Sequence, residues 1–222
     1  MNITTADQFE DELAELIVNY NLWRKIASKA GQQPYDEHDW EGNRLYFRIG
    51  YADQANEWPR WKQFGDWAAW IIEPTTEGYY KVVHSLWHER ASERSEDVVA
   101  VFSKIADAGK YVILRVGDSC RMYLDLETLP IKWRASGLNP RIRITTPADE
   151  ALNYVVKISP GTRKSFAVQH LKQYSLDDDA SHFAFAYPSA ELDMQVLSLS
   201  YGKLNALLMD GFPESILSKI YS

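Results

Sequence analysis

The chain is organised around Trp58-Pro59-Arg60-Trp61-Lys62-Gln63-Phe64-Gly65-Asp66-Trp67-Ala68-Ala69-Trp70-Ile71-Ile72, where an aromatic residue returns at every third position from 58 to 70. A repeat of three matches neither the helical period of 3.6 nor the strand period of 2, so one element cannot keep all five rings on one face. We therefore expect two pieces. Pro59 favours a short helical turn that holds Trp58 and Trp61, and Gly65-Asp66 interrupts it.

The second piece, residues 67–73, is predicted to form a strand that Pro74 ends. Trp67 and Trp70 would point to opposite faces of such a strand. One ring is then available to a partner while the other serves the core. Because large rings are mostly buried, a core position is the competing interpretation for each of them.

Composition places the chain among ordinary globular proteins. It has 222 residues, of which 45% are hydrophobic and 25% charged, enough for a sizeable core in one domain or two. The sequence contains no apolar run of about 18 residues and no signal-peptide pattern, so we expect a cytosolic protein without a membrane span. Cys120 is the only cysteine, which excludes an internal disulfide and agrees with a reducing compartment.

The net charge of −7 is concentrated in the first part of the chain. Residues 1–100 hold 10 basic and 18 acidic residues, a net charge of −8, whereas residues 101–222 hold 14 and 13, a net charge of +1. This acidity argues against nucleic-acid binding, which needs clustered Lys and Arg. It would attract a basic protein partner, although a solvated surface is the simpler interpretation.

The elements before residue 90 are predicted from clear signals. Thr5-Ala6-Asp7-Gln8 is a capping box, and apolar residues follow at helical spacing until Gly31. Residues 35–40 and 44–49 flank the turn Glu41-Gly42-Asn43, which predicts a hairpin. A further strand is expected over residues 79–88.

Beyond residue 90, the pattern predicts a helix that Ser95 caps and Gly109 ends, with Glu96 and Asp97 in its first turn. Residues 110–116 and 121–126 are then predicted to be strands around a turn at 117–119. The remaining predictions are an irregular segment at 129–140, strands at 141–145, 154–158 and 194–199, a short helix or turn from 146, helical periodicity at 167–174, a helix starting near the acids 177–179, and closing helices at 204–209 and 213–220. For residues 180–187 helix and strand are both open.

Together these elements predict an α+β fold with a mixed, mainly antiparallel sheet or sheets flanked by helices. The order strand, strand, helix, strand recurs in both halves, which would allow two similar lobes. We expect a single globular unit of residues 1–222, with a possible lobe boundary at 130–140.

Candidate chemistry is sparse. His84 and His88 would lie about 13 Å apart on one strand, too far to share a metal ion. Cys120 has no catalytic signature around it, and the run Asp177-Asp178-Asp179 lacks the spacing of a calcium loop. Phosphate-binding loops, a nucleophile elbow and paired zinc cysteines are missing. We therefore expect no metal, no cofactor and no catalytic residue.

A resemblance to a known family lies after the aromatic stretch. It is carried by Gly78-Tyr79-Tyr80-Lys81-Val82-Val83-His84-Ser85, then Glu89-Arg90-Ala91-Ser92-Glu93, then the capped helix to Ile105 with Gly109 and the strand at 111–116. This pattern is similar to immunity proteins of bacterial polymorphic toxin systems, a group common in mycobacteria and other actinobacteria. The resemblance covers about residues 35–175. The chain departs from the family in its long N-terminal helix, its aromatic stretch and its extended C-terminus.

The resemblance implies a cytosolic α+β protein without catalysis of its own, which occludes the active site of a cognate protein toxin. The candidate contacts are four acidic residues, four tryptophans and one arginine in the first part of the chain: Asp36, Glu37, Asp39, Asp53, Trp58, Arg60, Trp61, Trp67 and Trp70. Trp, Tyr and Arg are typical of interface hot spots. The alternatives are a small-molecule-binding protein or hydrolase with an aromatic-lined pocket, and a structural subunit that self-associates.

Overall fold

The computed structural model describes residues 5–33, 35–51, 56–57, 68–87 and 94–221. Its helices are Thr5–Ala30 (α1), Ile105–Tyr123 (α2), Leu129–Arg134 (α3), Asp149–Ile158 (α4), Lys164–His170 (α5), Tyr201–Met209 (α6) and Glu214–Tyr221 (α7). Its strands are Asp39–Glu41 (β1), Arg44–Arg48 (β2), Ala68–Pro74 (β3), Tyr80–Trp87 (β4), Arg94–Phe102 (β5), Ile142–Thr145 (β6), Lys172–Leu176 (β7) and Phe183–Ala186 (β8). Two 3₁₀ segments, Pro188–Ala190 and Leu192–Ser198, precede α6.

The eight strands form one sheet in the order β1-β2-β3-β4-β5-β8-β7-β6. Each neighbouring pair is antiparallel, so the predicted α+β class with a mainly antiparallel sheet is confirmed. Because β5 pairs with β8, the sheet continues across the predicted lobe boundary at 130–140. The division into one domain or two stays a prediction.

The main core lies between one face of the sheet and the helices α1, α2, α6 and α7. Helix α1 buries Leu16, Tyr20 and Trp23 at helical spacing, and the strands contribute residues such as Leu45 and Phe47. The Trp23 indole also donates to Asn205 Oδ1 at 2.9 Å, which joins α1 to α6. Buried polar groups need such partners, so this bond fixes how the two helices meet.

The opposite face of the sheet carries two smaller apolar clusters. Val101 of β5 and Phe185 of β8 pack against Val155 of α4. A second cluster, formed by Tyr46, Ala69, Ile71 and Val83, lies on β2, β3 and β4. Apolar side chains therefore lie on both sides of the central strands.

The largest difference from the sequence prediction concerns residues 94–123. The helix predicted from Ser95 to Gly109 is strand β5 up to Phe102, and only its last residues are helical. The predicted strand at 110–116, the turn at 117–119 and the first residues of the strand at 121–126 belong to a single helix, α2, which ends at Tyr123. Strand β5 is apolar on both faces near its end, with Ala100 in the main core and Val101 in the opposite cluster. A strand buried on both sides has no clear alternation, so its pattern resembled one helical face.

Two glycines explain why α2 was divided into shorter pieces. A Cβ at Gly109 would overlap the Tyr201 hydroxyl oxygen and lie 2.8 Å from Leu16 Cδ1, and a Cβ at Gly117 would lie 2.5 Å from Leu208 Cδ1. These glycines let neighbouring helices approach closely. Both glycines are packing positions inside α2, although the sequence pattern predicts a helix end at Gly109 and a turn at Gly117.

Several shorter predictions also differ. Residues 154–158 belong to helix α4, the irregular segment at 129–140 contains α3, and residues 194–199 lie mostly in 3₁₀ helix. The helical periodicity predicted for 167–174 holds only up to His170, because β7 follows, and Asp177-Asp178-Asp179 lies in the turn between β7 and β8. Residues 183–186 form a strand, which decides the open alternative. The predicted α1, the hairpin, β3, β4, β6 and the two closing helices are confirmed.

Candidate partner-binding surface

Four of the nine predicted contact residues fall in the described part of the chain: Asp36, Glu37, Asp39 and Trp70. The other five, Asp53, Trp58, Arg60, Trp61 and Trp67, lie outside the described residues, as does the predicted helical turn at Trp58. The four described residues belong to two neighbouring places, a loop with its edge strand and a cleft.

Asp36 belongs to the framework of the loop. Its carboxylate accepts from the Tyr51 amide at 2.7 Å, its amide donates to the Arg48 carbonyl at 3.0 Å, and its carbonyl accepts from the Tyr20 hydroxyl at 2.8 Å. These bonds tie the loop to α1 and to the end of β2. Glu37 is different, because its side chain is 85% exposed and only an ion pair of 3.7 Å joins it to Arg24.

Strand β1 forms one edge of the sheet and exposes all three of its residues, Asp39, Trp40 and Glu41. Trp40 is 41% exposed, although the sequence analysis did not single it out. The signal for it was available, since Trp40 follows Asp36, Glu37 and Asp39 and precedes the predicted turn. Trp40 is the register partner of Leu45, whereas Asp39 and Glu41 are opposite Tyr46 and Arg44, so the tryptophan and the two carboxylates lie on opposite faces of the strand. Tryptophan is nevertheless a residue type enriched in binding hot spots.

Arg48 orients the two carboxylates of this edge. Its guanidinium forms ion pairs with Asp39, at 3.3 Å, and with Glu41, and its Cζ lies 4.1 Å from the centre of the Tyr46 ring. Arg48 is buried, so the carboxylates are held on a fixed support. We call Glu37, Asp39, Trp40 and Glu41 the acidic edge. Two carboxylates share one arginine here, which leaves a net negative charge.

Trp70 lies on β3 between Phe47 of β2 and His84 of β4, its register partners. Its ring stacks on the His84 imidazole with the centres 4.2 Å apart and meets the Tyr111 ring edge-on at 6.1 Å. Burial lowers the pKa of His84 and so favours the neutral ring. Trp70 is half-buried: part of its ring packs against the main core, and another part lines a neighbouring cleft.

The cleft lies between the loop at Tyr35, strand β3, helix α2 and the start of α3, and its volume is about 360 Å³. Its floor and walls combine apolar and polar side chains: Tyr35, Ile49, Trp70, Arg115, Asp118, Ser119, Met122, Thr128 and Pro130. Met122 is 60% exposed at its rim. Tyr35 directly precedes Asp36 and pairs with Ile49, so the cleft adjoins the acidic edge.

Asp118 lines the cleft, and Asp193, which is not part of the lining, pairs with the lining residue Arg115. Arg115 donates to Asp193 and to the Tyr111 hydroxyl, yet burial outweighs this partner and raises the pKa of Asp193 to about 6. Burial also raises the pKa of Asp118 to about 6. Asp118 Oδ1 accepts from the Leu129 amide at 2.8 Å, whereas Oδ2 is buried and has no hydrogen-bond partner among the described residues.

Other titratable groups have structural surroundings. Asp107 is fully buried, with its carboxylate 2.6 Å from Lys110 Nζ and 2.8 Å from His182 Nδ1. It ties α2 to the turn before β8, and the bond to Asp107 raises the pKa of His182. Burial raises the pKa of the Cys120 thiol to about 11, which keeps it protonated and unsuited to nucleophilic attack.

Across 5–33, 35–51, 56–57, 68–87 and 94–221, no group of three or more His, Cys, Asp or Glu side chains is placed to hold a metal ion. Within those limits no helix is long and apolar enough to cross a membrane. His88, the second member of the histidine pair considered from the sequence, lies outside the described residues.

The fold and the surface define an α+β protein with one eight-stranded antiparallel sheet, an acidic edge and an adjoining cleft. No protein-family model matches the chain, and no curated protein matches it. Among solved structures it is similar to Rv3902c from M. tuberculosis, with 12% identity, a TM-score of 0.48, and coverage of 88% of this chain and 87% of that one. A similarity at this level is a distant one.

Proposed function

We propose that this protein neutralises a protein toxin by binding it and covering its active site. The observation that supports the proposal most is the acidic edge, where buried Arg48 orients the carboxylates of Asp39 and Glu41, and Trp40 is exposed on the other face of the same strand. Carboxylates that are already held in place lose little conformational freedom on binding, which favours affinity. A toxin with a basic surface would be its complement.

The family resemblance also supports this function, with one qualification. The segment Gly78 to Ser85, which carries its first motif, covers most of strand β4. The later helix and strand of the motif correspond to strand β5 and helix α2, so the order of elements there differs from the pattern. The proposal therefore depends on the surface more than on the pattern.

The test uses the protein encoded beside this chain in its genome, expressed with and without the chain. We expect the neighbour to arrest growth alone, and growth to be restored on co-expression, with a complex that survives size exclusion. The double variant Glu37→Lys with Asp39→Lys should lose protection. The matched control is Glu150→Lys on α4, an exposed acid that lies on the helix covering β5 and β8. Growth that is unchanged by the chain would refute the proposal.

A small-molecule-binding protein is the second candidate, favoured by the aromatic residues Tyr35 and Trp70 in a cleft of about 360 Å³. This size and lining are typical of ligand sites. Turnover of a substrate that His84→Ala abolishes would indicate the hydrolase version of this candidate, whereas the buried and protonated Cys120 is not expected to take part. Saturable binding of a metabolite without turnover would indicate the binding version.

A further inference from the structure

The cleft next to the acidic edge has walls suited to a long side chain. Ile49, Met122 and Pro130 provide apolar surface, and the rings of Tyr35 and Trp70 add aromatic surface. Lysine and arginine pack their aliphatic stems on such surfaces while the charged head seeks a carboxylate. Aromatic rings also attract cations directly. The lining therefore fits a side chain that is apolar along its length and positive at its end.

The charges in the cleft point to the same class of occupant. Arg115 is matched by Asp193 through their ion pair. Arg121, one turn beyond Asp118 on α2, donates to the carbonyls of Glu127, Leu208 and Asp210. Asp118 therefore retains an acceptor, Oδ2, without a hydrogen-bond partner in the described part of the chain. An incoming cation would satisfy it, whereas a purely apolar side chain would leave it unpaired.

We infer that this cleft accepts one cationic side chain, arginine or lysine, from the protein partner that the acidic edge binds. The inference rests on the proposed function, because it names the residue type by which the toxin is anchored. An anionic occupant is disfavoured, since it would meet Asp118 in the lining, and the one arginine of the lining, Arg115, is already paired with Asp193. Met122, exposed at the rim and flexible, can move aside so that the head group reaches Asp118.

The test is a titration of the isolated protein, observed by NMR at the Trp70 indole and the Met122 methyl group. The probe is Nα-acetyl-L-arginine amide, and its neutral match is Nα-acetyl-L-citrulline amide. We expect saturable shifts with arginine amide and an affinity about tenfold lower for citrulline amide, as expected for a hydrogen bond to a charged group. Lysine amide should bind in the same range as arginine amide.

Two variants complete the design. Asp118→Asn should reduce the affinity for arginine amide to that for citrulline amide. Met122→Lys changes an exposed rim residue, so its fold is expected to survive, and the new positive charge should abolish arginine binding as read at Trp70. Glu150→Lys, on the helix that covers β5 and β8, is outside both the cleft and the acidic edge and should leave the titration unchanged.

Equal affinity for the arginine and citrulline probes, or no saturable shift, would overturn the inference. Free arginine or agmatine that bound tenfold more tightly than the acetylated amide would identify a small molecule as the cation source, which overturns the assignment to a partner side chain. The titration contains no toxin. Its failure is therefore distinct from a failure of the growth assay.

Discussion

Replacement of Gly109 by alanine tests the packing of helix α2 most sharply. In a helix interior, alanine is favoured over glycine by about 1 kcal/mol. The new methyl group would overlap the Tyr201 hydroxyl and crowd Leu16 Cδ1 at 2.8 Å. Overpacking of this kind costs about 1–3 kcal/mol, and displacement of Tyr201 also breaks its 3.1 Å bond to the Ala106 carbonyl, worth about 1 kcal/mol. The expected net loss of stability is about 1–3 kcal/mol.

The matched control is Gly202→Ala, because Gly202 lies in the first turn of α6 and a Cβ there would meet nothing within 4 Å. We expect that variant to be neutral or stabilised by up to about 1 kcal/mol. Urea unfolding followed by tryptophan fluorescence measures both. The double variant Gly109→Ala with Tyr201→Phe removes the overlapping oxygen, so its loss should be smaller than the sum of the two single losses. A Gly109→Ala protein as stable as Gly202→Ala would refute the close packing of α2.

Three further outcomes are expected. Arg121→Met should lower the free energy of unfolding by about 3–5 kcal/mol in urea unfolding, because it leaves the carbonyls of Glu127, Leu208 and Asp210 without their charged donor. Burial raises the pKa values of Asp118 and Asp193 to about 6, so the contribution of these two protonated carboxyls to stability is complete below about pH 4 and is lost as the pH rises through 6. The urea midpoint should therefore fall between those pH values, and it should fall less steeply in Asp118→Asn. A pH dependence that this variant leaves unchanged would contradict the raised pKa of Asp118. Trp40→Ala should leave the free energy of unfolding within about 0.5 kcal/mol of wild type. The same variant should weaken the toxin complex, as measured by calorimetry.

The early elements were predictable from the sequence because each carried a local signal. Helix α1 has one apolar face and ends at Gly31, whose φ of +84° requires glycine. The hairpin of β1 and β2 surrounds Gly42, which also has a positive φ. In such cases the local conformation and the tertiary structure agree.

The centre of the fold was not predictable in this way. Strand β5 packs on both faces near its end, so its sequence lacks the alternation that marks a strand. Gly109 and Gly117 leave room for neighbouring helices, and no local pattern reveals those contacts. The candidate surface shared this problem. Arg115 and Asp118 lie one turn apart on α2 and line the cleft together with Trp70. The sequence pattern instead predicts a strand at Arg115 and a turn at Asp118, so it gives no reason to place the two residues beside Trp70.

The aromatic residue at the acidic edge was missed for a different reason. The strongest aromatic pattern in the sequence is the repeat at residues 58–70, and of its five aromatic residues Trp70 alone lies in the described part of the chain. Trp40 belongs to a short strand whose exposure depends on its place at the sheet edge. Strand order is a tertiary property, hence single-sequence periodicity does not contain it.

The most direct test of the central claim is the inhibition of the neighbouring toxin by the purified protein in a titration of toxin activity. We predict complete inhibition at one equivalent, and a dissociation constant at least about tenfold weaker for Glu37→Lys with Asp39→Lys than for Glu150→Lys. Full toxin activity in the presence of excess protein would contradict neutralisation. Undiminished inhibition by the double charge reversal would contradict the acidic edge as the binding surface.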